Sequence, residues 1–162
     1  MSAAEVWADR VLAGAALVGG EDVLGLGLDT GPLAFRAHEL VDDGWVIAVD
    51  PSVDALEELL RHAHELGSAG VMYLVGDADV LPLPDAAVDA CVGRFPCERV
   101  EDLAEAVREL LRVLRPGGRV SLLDRDGDGT QLAAALGDAG FAGVAFEPAT
   151  DGTGAAVTAR RP

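Results

Sequence analysis

Several kinds of residue and segment are scarce in this sequence, and each scarcity narrows what the protein can be. Only two of its 162 residues are cysteines, Cys91 and Cys97, and both fall in one short segment. So small a number cannot frame a disulfide scaffold, and a reducing cytoplasm suits it better. Long apolar runs are missing as well, since the longest, "VLAGAALVGG", is about half of a membrane span. The N-terminus has Glu5, Asp9 and Arg10 where a targeting segment would lead with basic residues into an apolar stretch. Positive charge is sparse: 12 basic residues face 28 acidic ones, for a formal net charge of −16. The acids are spread along the whole chain, and their field repels a polymer of phosphates. The composition therefore predicts an untargeted cytoplasmic protein with neither nucleic acid nor a membrane as partner. No repeat, low-complexity tract or Ser/Pro-rich linker divides the chain, whose length suits one domain with one sizeable core. The expected organisation is a single domain over 1–162, with a leading helix and linker over 1–20 and an α/β core over 21–162.

What the sequence does have is a regular alternation of short apolar runs with helical periodicity. Ser2 with Glu5 reads as a capping box that opens a first helix to about Ala16. The run "EDVLGLGL" reads as a strand, and Pro32 suits the first turn of the helix "PLAFRAHELV". "WVIAVD" is the next strand; Ser52 is the expected N-cap of "VDALEELLRHAHEL", and Gly67 its C-terminal stop. "VMYLVGD" and "VDACVGR" follow as strands, joined by the proline-marked loop "VLPLPDAA". The spacing of Leu103, Val107, Leu110, Leu111 and Leu114 predicts a helix over 101–115, with Glu105, Arg108, Glu109 and Arg112 left for water. "PGG" at 116–118 should stop it, before a strand "RVSLLD" and a short helix capped by Thr130. Two late runs, "FAGVAFEPA" and "GAAVTARR", are separated only by "TDGTG" and should pair as an antiparallel hairpin. Helix-separated apolar strands imply a mostly parallel sheet covered on both faces, whose ligands sit beyond the carboxyl ends of the strands.

Four segments, in order, carry a family resemblance. "VLGLGLDTG" lies where the family has a strand ending in E/D-x-G-x-G-x-G, and "VIAVDPS" resembles its second strand with a terminal acid. "GDADVLPLPDAAVDA" is similar to the segment with an adenine-contacting acid, and "ELLRVLRPGGRV" to the helix, turn and fifth strand. Together they resemble the class I S-adenosylmethionine-dependent methyltransferases from roughly Trp7 to the C-terminus. The resemblance implies a Rossmann-like, doubly wound, mostly parallel seven-stranded sheet of order 3-2-1-4-5-7-6 ending in an antiparallel hairpin. It further implies S-adenosylmethionine as cofactor, S-adenosylhomocysteine as product, and a small-molecule or peptide methyl acceptor. Asp50 would accept hydrogen bonds from the ribose hydroxyls, with Pro51 beside it, and Asp77 would accept from the adenine amino group, with the Ala78 N–H toward the ring. The backbone of Gly27, Asp29 and Gly31 would take the methionyl part, and Arg94 would border the site after the fourth strand. With one leading helix and no insertion after the fifth strand, the substrate side should be open: either the substrate is large, or a second copy or a partner protein closes the site, or no reaction occurs there.

Two positions depart from the family pattern. Gly25 stands where the family has an acid, and Asp29 where it has the middle glycine of the loop. A side chain at 29 intrudes where the cofactor passes close to the backbone, and the missing acid at 25 removes an anchor for the amino end. The alternative reading is accordingly a protein of this fold with a binding or assembly role, or an enzyme on this fold that does not methylate. No catalytic base is assigned, because in-line methyl transfer needs one only when the nucleophile must lose a proton. Arg94, Cys97, Glu98, Arg99 and Asp124 to Asp126 are the candidates lining the substrate side. No metal site is expected: the calcium-like "DRDGDG" lacks its closing glutamate, having Ala135 there, and His62 and His64 point to opposite sides of a helix. A dinucleotide fingerprint fails because Thr30 stands where its last glycine belongs.

Overall fold

A computed structural model describes residues 2–27, 33–95, 102–125, 127–150, 152 and 154–162. The elements run α1 (Ala3–Ala15), β1 (Val23–Leu26), α2 (Leu33–Val41), β2 (Val46–Asp50), α3 (Val53–Leu66) and β3 (Val71–Val75). They continue with β4 (Val88–Arg94), α4 (Leu103–Val113), β5 (Leu114–Asp124), α5 (Thr130–Ala139), β6 (Ala142–Pro148) and β7 (Ala155–Arg160). One seven-stranded sheet has the order β3-β2-β1-β4-β5-β7-β6. Its first five strands are parallel, and β7 pairs antiparallel with both β5 and β6, as the sequence predicts.

Within each strand, successive side chains serve opposite faces, although nearly all are apolar. Val23, Val46, Ala48, Val71 and Val92 pack under α1, α2 and α3, while Leu24, Leu26, Val49, Cys91 and Leu122 pack under α4 and α5. The helix ends follow the expected chemistry at α1, where Ser2 and Glu5 complete a capping box, and at α3, where Ser52 Oγ accepts from Ala55 N at 3.1 Å. Gly67 closes α3 in the left-handed conformation.

Two boundaries differ from expectation. Helix α4 ends at Val113 rather than at 115, and the Pro116–Gly118 segment is drawn into β5, whose register on β4 is irregular between Val88 and Ala90. The strand wins because Leu114 is fully buried beside Val88 and Arg115 reaches Asp89 Oδ2 at 2.7 Å, which one further helical turn would undo. At α5 the cap is Gly129, with φ +87°, and Thr130 is the first helical residue. Thr130 is instead tied to Asp128, whose Oδ1 accepts from its amide at 3.0 Å and its hydroxyl at 2.5 Å.

The N-terminal end of the sheet, opposite the ligand edge of such folds, is laced by arginine. Arg119 makes a two-pronged bond to Glu21, 2.7 Å to each carboxylate oxygen, and also donates to the carbonyls of Ala15 and Ala16. Arg115 bridges Asp89 and Asp22. The start of β1 is thus fixed to β5 and to the end of α1.

Candidate active site

The parallel register places the ends of four strands side by side. Leu26 is level with Val49 and with Gly93, and Asp50 is level with Val75. Gly27, Asp50, Asp77 and Arg94 therefore all emerge at one edge of the sheet, on strands about 4.8 Å from neighbour to neighbour. The structure brings together four of the residues that the sequence singles out. Asp29 and Gly31 lie outside the described residues, as do Cys97, Glu98, Arg99 and Asp126.

Gly27 is held at φ +59°, and a Cβ built on it would stand 2.8 Å from the carbonyl oxygen of Arg94. Both the backbone conformation and the space demand glycine, so β1 ends in bare main chain against β4. Asp50 terminates β2 half-buried, and its Oδ1 accepts from the Ser52 amide at 2.8 Å. That local turn fixes the carboxylate at the strand tip beside the N-terminus of α3, leaving Pro51 exposed between them. The Gly76 amide donates to the Asp50 carbonyl at 3.2 Å, carrying the β2–β3 pairing up to the loop that holds Asp77. Asp77 itself is exposed and opens a tight turn in which its carbonyl accepts from Val80 N, while Ala78 packs on the core.

That loop is clamped from α4. Glu109 accepts from the Leu81 amide at 2.8 Å, and Arg112 donates to the carbonyls of Leu83 and Leu81 and to Asp85. The two clamp residues are bonded to each other at 2.7 Å, which holds the Glu109 carboxyl below its ordinary range. Expected to face water, they are instead the anchors of the Asp77 loop. Helical spacing marks both as polar but is silent about which backbone groups await them.

Arg94 is half-buried at the end of β4, its guanidinium carbon 6.0 Å from the ring centre of Trp7 on α1. The leading helix thereby reaches the site edge, a contact between residues 87 positions apart that local pattern does not reveal. Asp124, a candidate for the substrate side, is 4% exposed, and its Oδ2 accepts from the Gly129 amide at 3.2 Å. A Cβ on Gly127 would stand 2.2 Å from the same oxygen, so the turn wraps over the carboxylate. Asp124 holds the start of α5 instead of facing a substrate. Cys91 is fully buried, and burial pushes its thiol well above the usual range, away from nucleophilic use.

Comparison with known proteins bears on the fold that carries these residues. Residues 24–122 match the methyltransferase-domain family. The chain is 32% identical over 121 residues to the ubiquinone/menaquinone biosynthesis C-methyltransferase UbiE of Pseudoalteromonas translucida, covering 74% of this chain and 48% of that one. It is 36% identical over 121 residues to the 2-phytyl-1,4-naphtoquinone methyltransferase of Synechococcus elongatus, covering 74% and 52%. The chain thus spans about half the length of the curated relatives it matches. Among solved structures, a SAM-dependent methyltransferase from Aquifex aeolicus superposes with a TM-score of 0.84 at 22% identity, over 96% of this chain and 89% of that one. Family match and sheet order agree, and the chain belongs to the methyltransferase-domain family, that of the class I S-adenosylmethionine-dependent methyltransferases.

Proposed function

We propose that this chain binds S-adenosylmethionine along the ends of β1 to β4 and transfers its methyl group to a small-molecule or peptide acceptor. The observation that carries the reading is the alignment of Gly27, Asp50 and Asp77 on one edge, with the Asp50 carboxylate fixed by Ser52 and no room for a side chain at Gly27. Asp50 would accept from both ribose hydroxyls, and Asp77 and the Ala78 amide would take the adenine edge. Gly27, with Asp29 and Gly31, would offer main chain to the methionyl part, and Pro51 and Arg94 would flank it. The cofactor, when bound, supplies an electrophilic methyl group on a sulfonium. What remains for the protein is to hold the acceptor in line and exclude water, for which no base is required unless the acceptor must lose a proton. The names of the relatives, which are quinone-pathway C-methyltransferases, favour the small-molecule branch.

A second reading rests on Gly25 and Asp29: a chain of this fold that has lost the cofactor and serves in binding or assembly, or an enzyme on this fold that does not methylate. A similar fold, with a TM-score of 0.84 at 24% identity, belongs to a protein described as the [4+2]-cyclase SpnF. Calorimetric titration with S-adenosylmethionine and S-adenosylhomocysteine, on the native chain and on Asp29→Gly, tests whether the cofactor is held, and a methyl-transfer assay on the native chain then separates methylation from binding alone. Micromolar binding by the native chain is the expected result. Absence of binding by the native chain, restored by Asp29→Gly, overturns the methyltransferase reading and identifies Asp29 as the cause.

A further inference from the structure

The two free edges of the sheet are built differently. Edge strand β6 carries Glu147 and Pro148, and an irregular register near Gly143, where φ is +60°. Charge, proline and a bulge are the devices that keep an edge from pairing with another chain. Edge strand β3 has none of them. Its register on β2 runs unbroken from Val71 to Val75, and residues 67–76, "GSAGVMYLVG", contain no charged side chain in a protein where 25% of residues are charged.

The backbone of β3 is also set for pairing. The Gly70 carbonyl and the Gly76 amide both bond toward β2, so the even-numbered residues between them face inward, and Val71, Tyr73 and Val75 present their N–H and C=O groups outward. On the face away from α3, the connection over 76–87 contains no helix, and an apolar strip is left uncovered. Trp45 is 47% and Met72 42% exposed beside half-buried Ile47 and Leu74.

We propose that β3 is a self-association edge, at which a second copy of this chain pairs antiparallel through its own β3, with Tyr73 opposite Tyr73 on the two-fold axis. In that register every outward residue meets an outward residue, Val71 opposite Val75, and Met72 lies opposite Leu74 so that the two apolar strips join. The sequence of the edge argues for a second copy: about Tyr73 it is alike from either end, Val71 and Met72 on one side and Val75 and Leu74 on the other, so a copy of the same strand meets like with like at every position. The absence of charge over 67–76 keeps carboxylates out of that contact, although the two chains, each of −16, repel at longer range. That repulsion fixes the salt dependence: screening it strengthens association.

Sedimentation velocity of the full chain, from low to high micromolar concentration and at low and high salt, is the test. The expected result is a monomer–dimer equilibrium that tightens in high salt. Val75→Pro removes one outward N–H and Met72→Glu sets carboxylates into the joined strip; each should weaken dimerisation by at least about tenfold. Circular dichroism identifies a misfolded variant, and Met72→Glu, at an exposed position, decides the matter if Val75→Pro fails to fold. A chain that stays monomeric throughout, a dimer that weakens with salt, or a dimer untouched by Met72→Glu overturns the proposal.

Discussion

Gly27 and Asp50 occupy neighbouring strand tips but answer to different constraints. At Gly27 the positive φ and the nearby Arg94 carbonyl act on the folded backbone itself. Replacement by alanine should cost about 2–5 kcal/mol of stability, from left-handed strain and overpacking together, as read from urea unfolding. Asp50 is half-buried at the strand tip and accepts from the Ser52 amide in a local turn, so Asp50→Ala should lower the unfolding free energy by about 0.5–2 kcal/mol, less than the change at Gly27. The same variant should weaken S-adenosylhomocysteine binding by roughly ten- to a hundredfold in calorimetry, the loss of hydrogen bonds to a charged group. Both residues are legible in the sequence, since a glycine after an apolar run and an acid ending the next one are local marks. Asp124 reads the same way and proves different, because its burial depends on how the glycine turn at 127–129 folds back over it.

At the scale of elements, the clamp from α4 onto the 76–87 loop is the connection on which the proposed adenine end of the site depends. Arg112→Ala frees the Leu81 and Leu83 carbonyls and leaves Glu109, whose side chain is only 14% exposed, without its cation. The expected cost is about 1–3 kcal/mol in unfolding free energy, with faster hydrogen exchange over 77–85 and weaker S-adenosylhomocysteine binding. Arg108→Ala, which breaks an exposed pair with Glu105 on the same helix, should change stability by less than about 0.5 kcal/mol and binding not at all. The helix itself is readable from its apolar stripe, and the hairpin from its short connection. The end of α4 is not, because Pro116–Gly118 is compatible with a stop or with an irregular strand, and the choice between them falls to burial of Leu114 and the reach of Arg115.

For the molecule as a whole, the balance of charge governs its response to acid. All 12 basic residues are arginines, which stay protonated throughout, so the carboxylates alone titrate the ion pairs. Glu21 is held below its ordinary range chiefly by its bonds to Arg119, and Glu109 chiefly by Arg112. A carboxyl whose folded value lies below the unfolded one adds stability that is complete above the unfolded value of about 4.3 and is lost as pH falls through the folded value. Urea midpoints should therefore stay level from neutrality to about pH 5.5 and fall steeply below about 4.5. Glu21→Gln should lower the neutral plateau and flatten that fall. The parallel sheet was open to reading from the alternation of elements and its order from the family resemblance, whereas the pinning of β1 to β5 by Arg119 joins residues 98 positions apart and exists only once the chain has closed.

The two tryptophans divide the molecule between them. Trp7 lies against Arg94 at the edge proposed to bind the cofactor, and Trp45 stands 47% exposed on the strip beside β3. Indole emission shifts to the blue as water leaves its surroundings, and a neighbouring guanidinium alters its intensity. Adding S-adenosylhomocysteine should change the signal that Trp7→Phe abolishes, while raising protein concentration should blue-shift the signal that Trp45→Phe abolishes. The native chain thus has one fluorophore for filling of the proposed cleft and another for coverage of the proposed edge, and no dye need be attached to follow either.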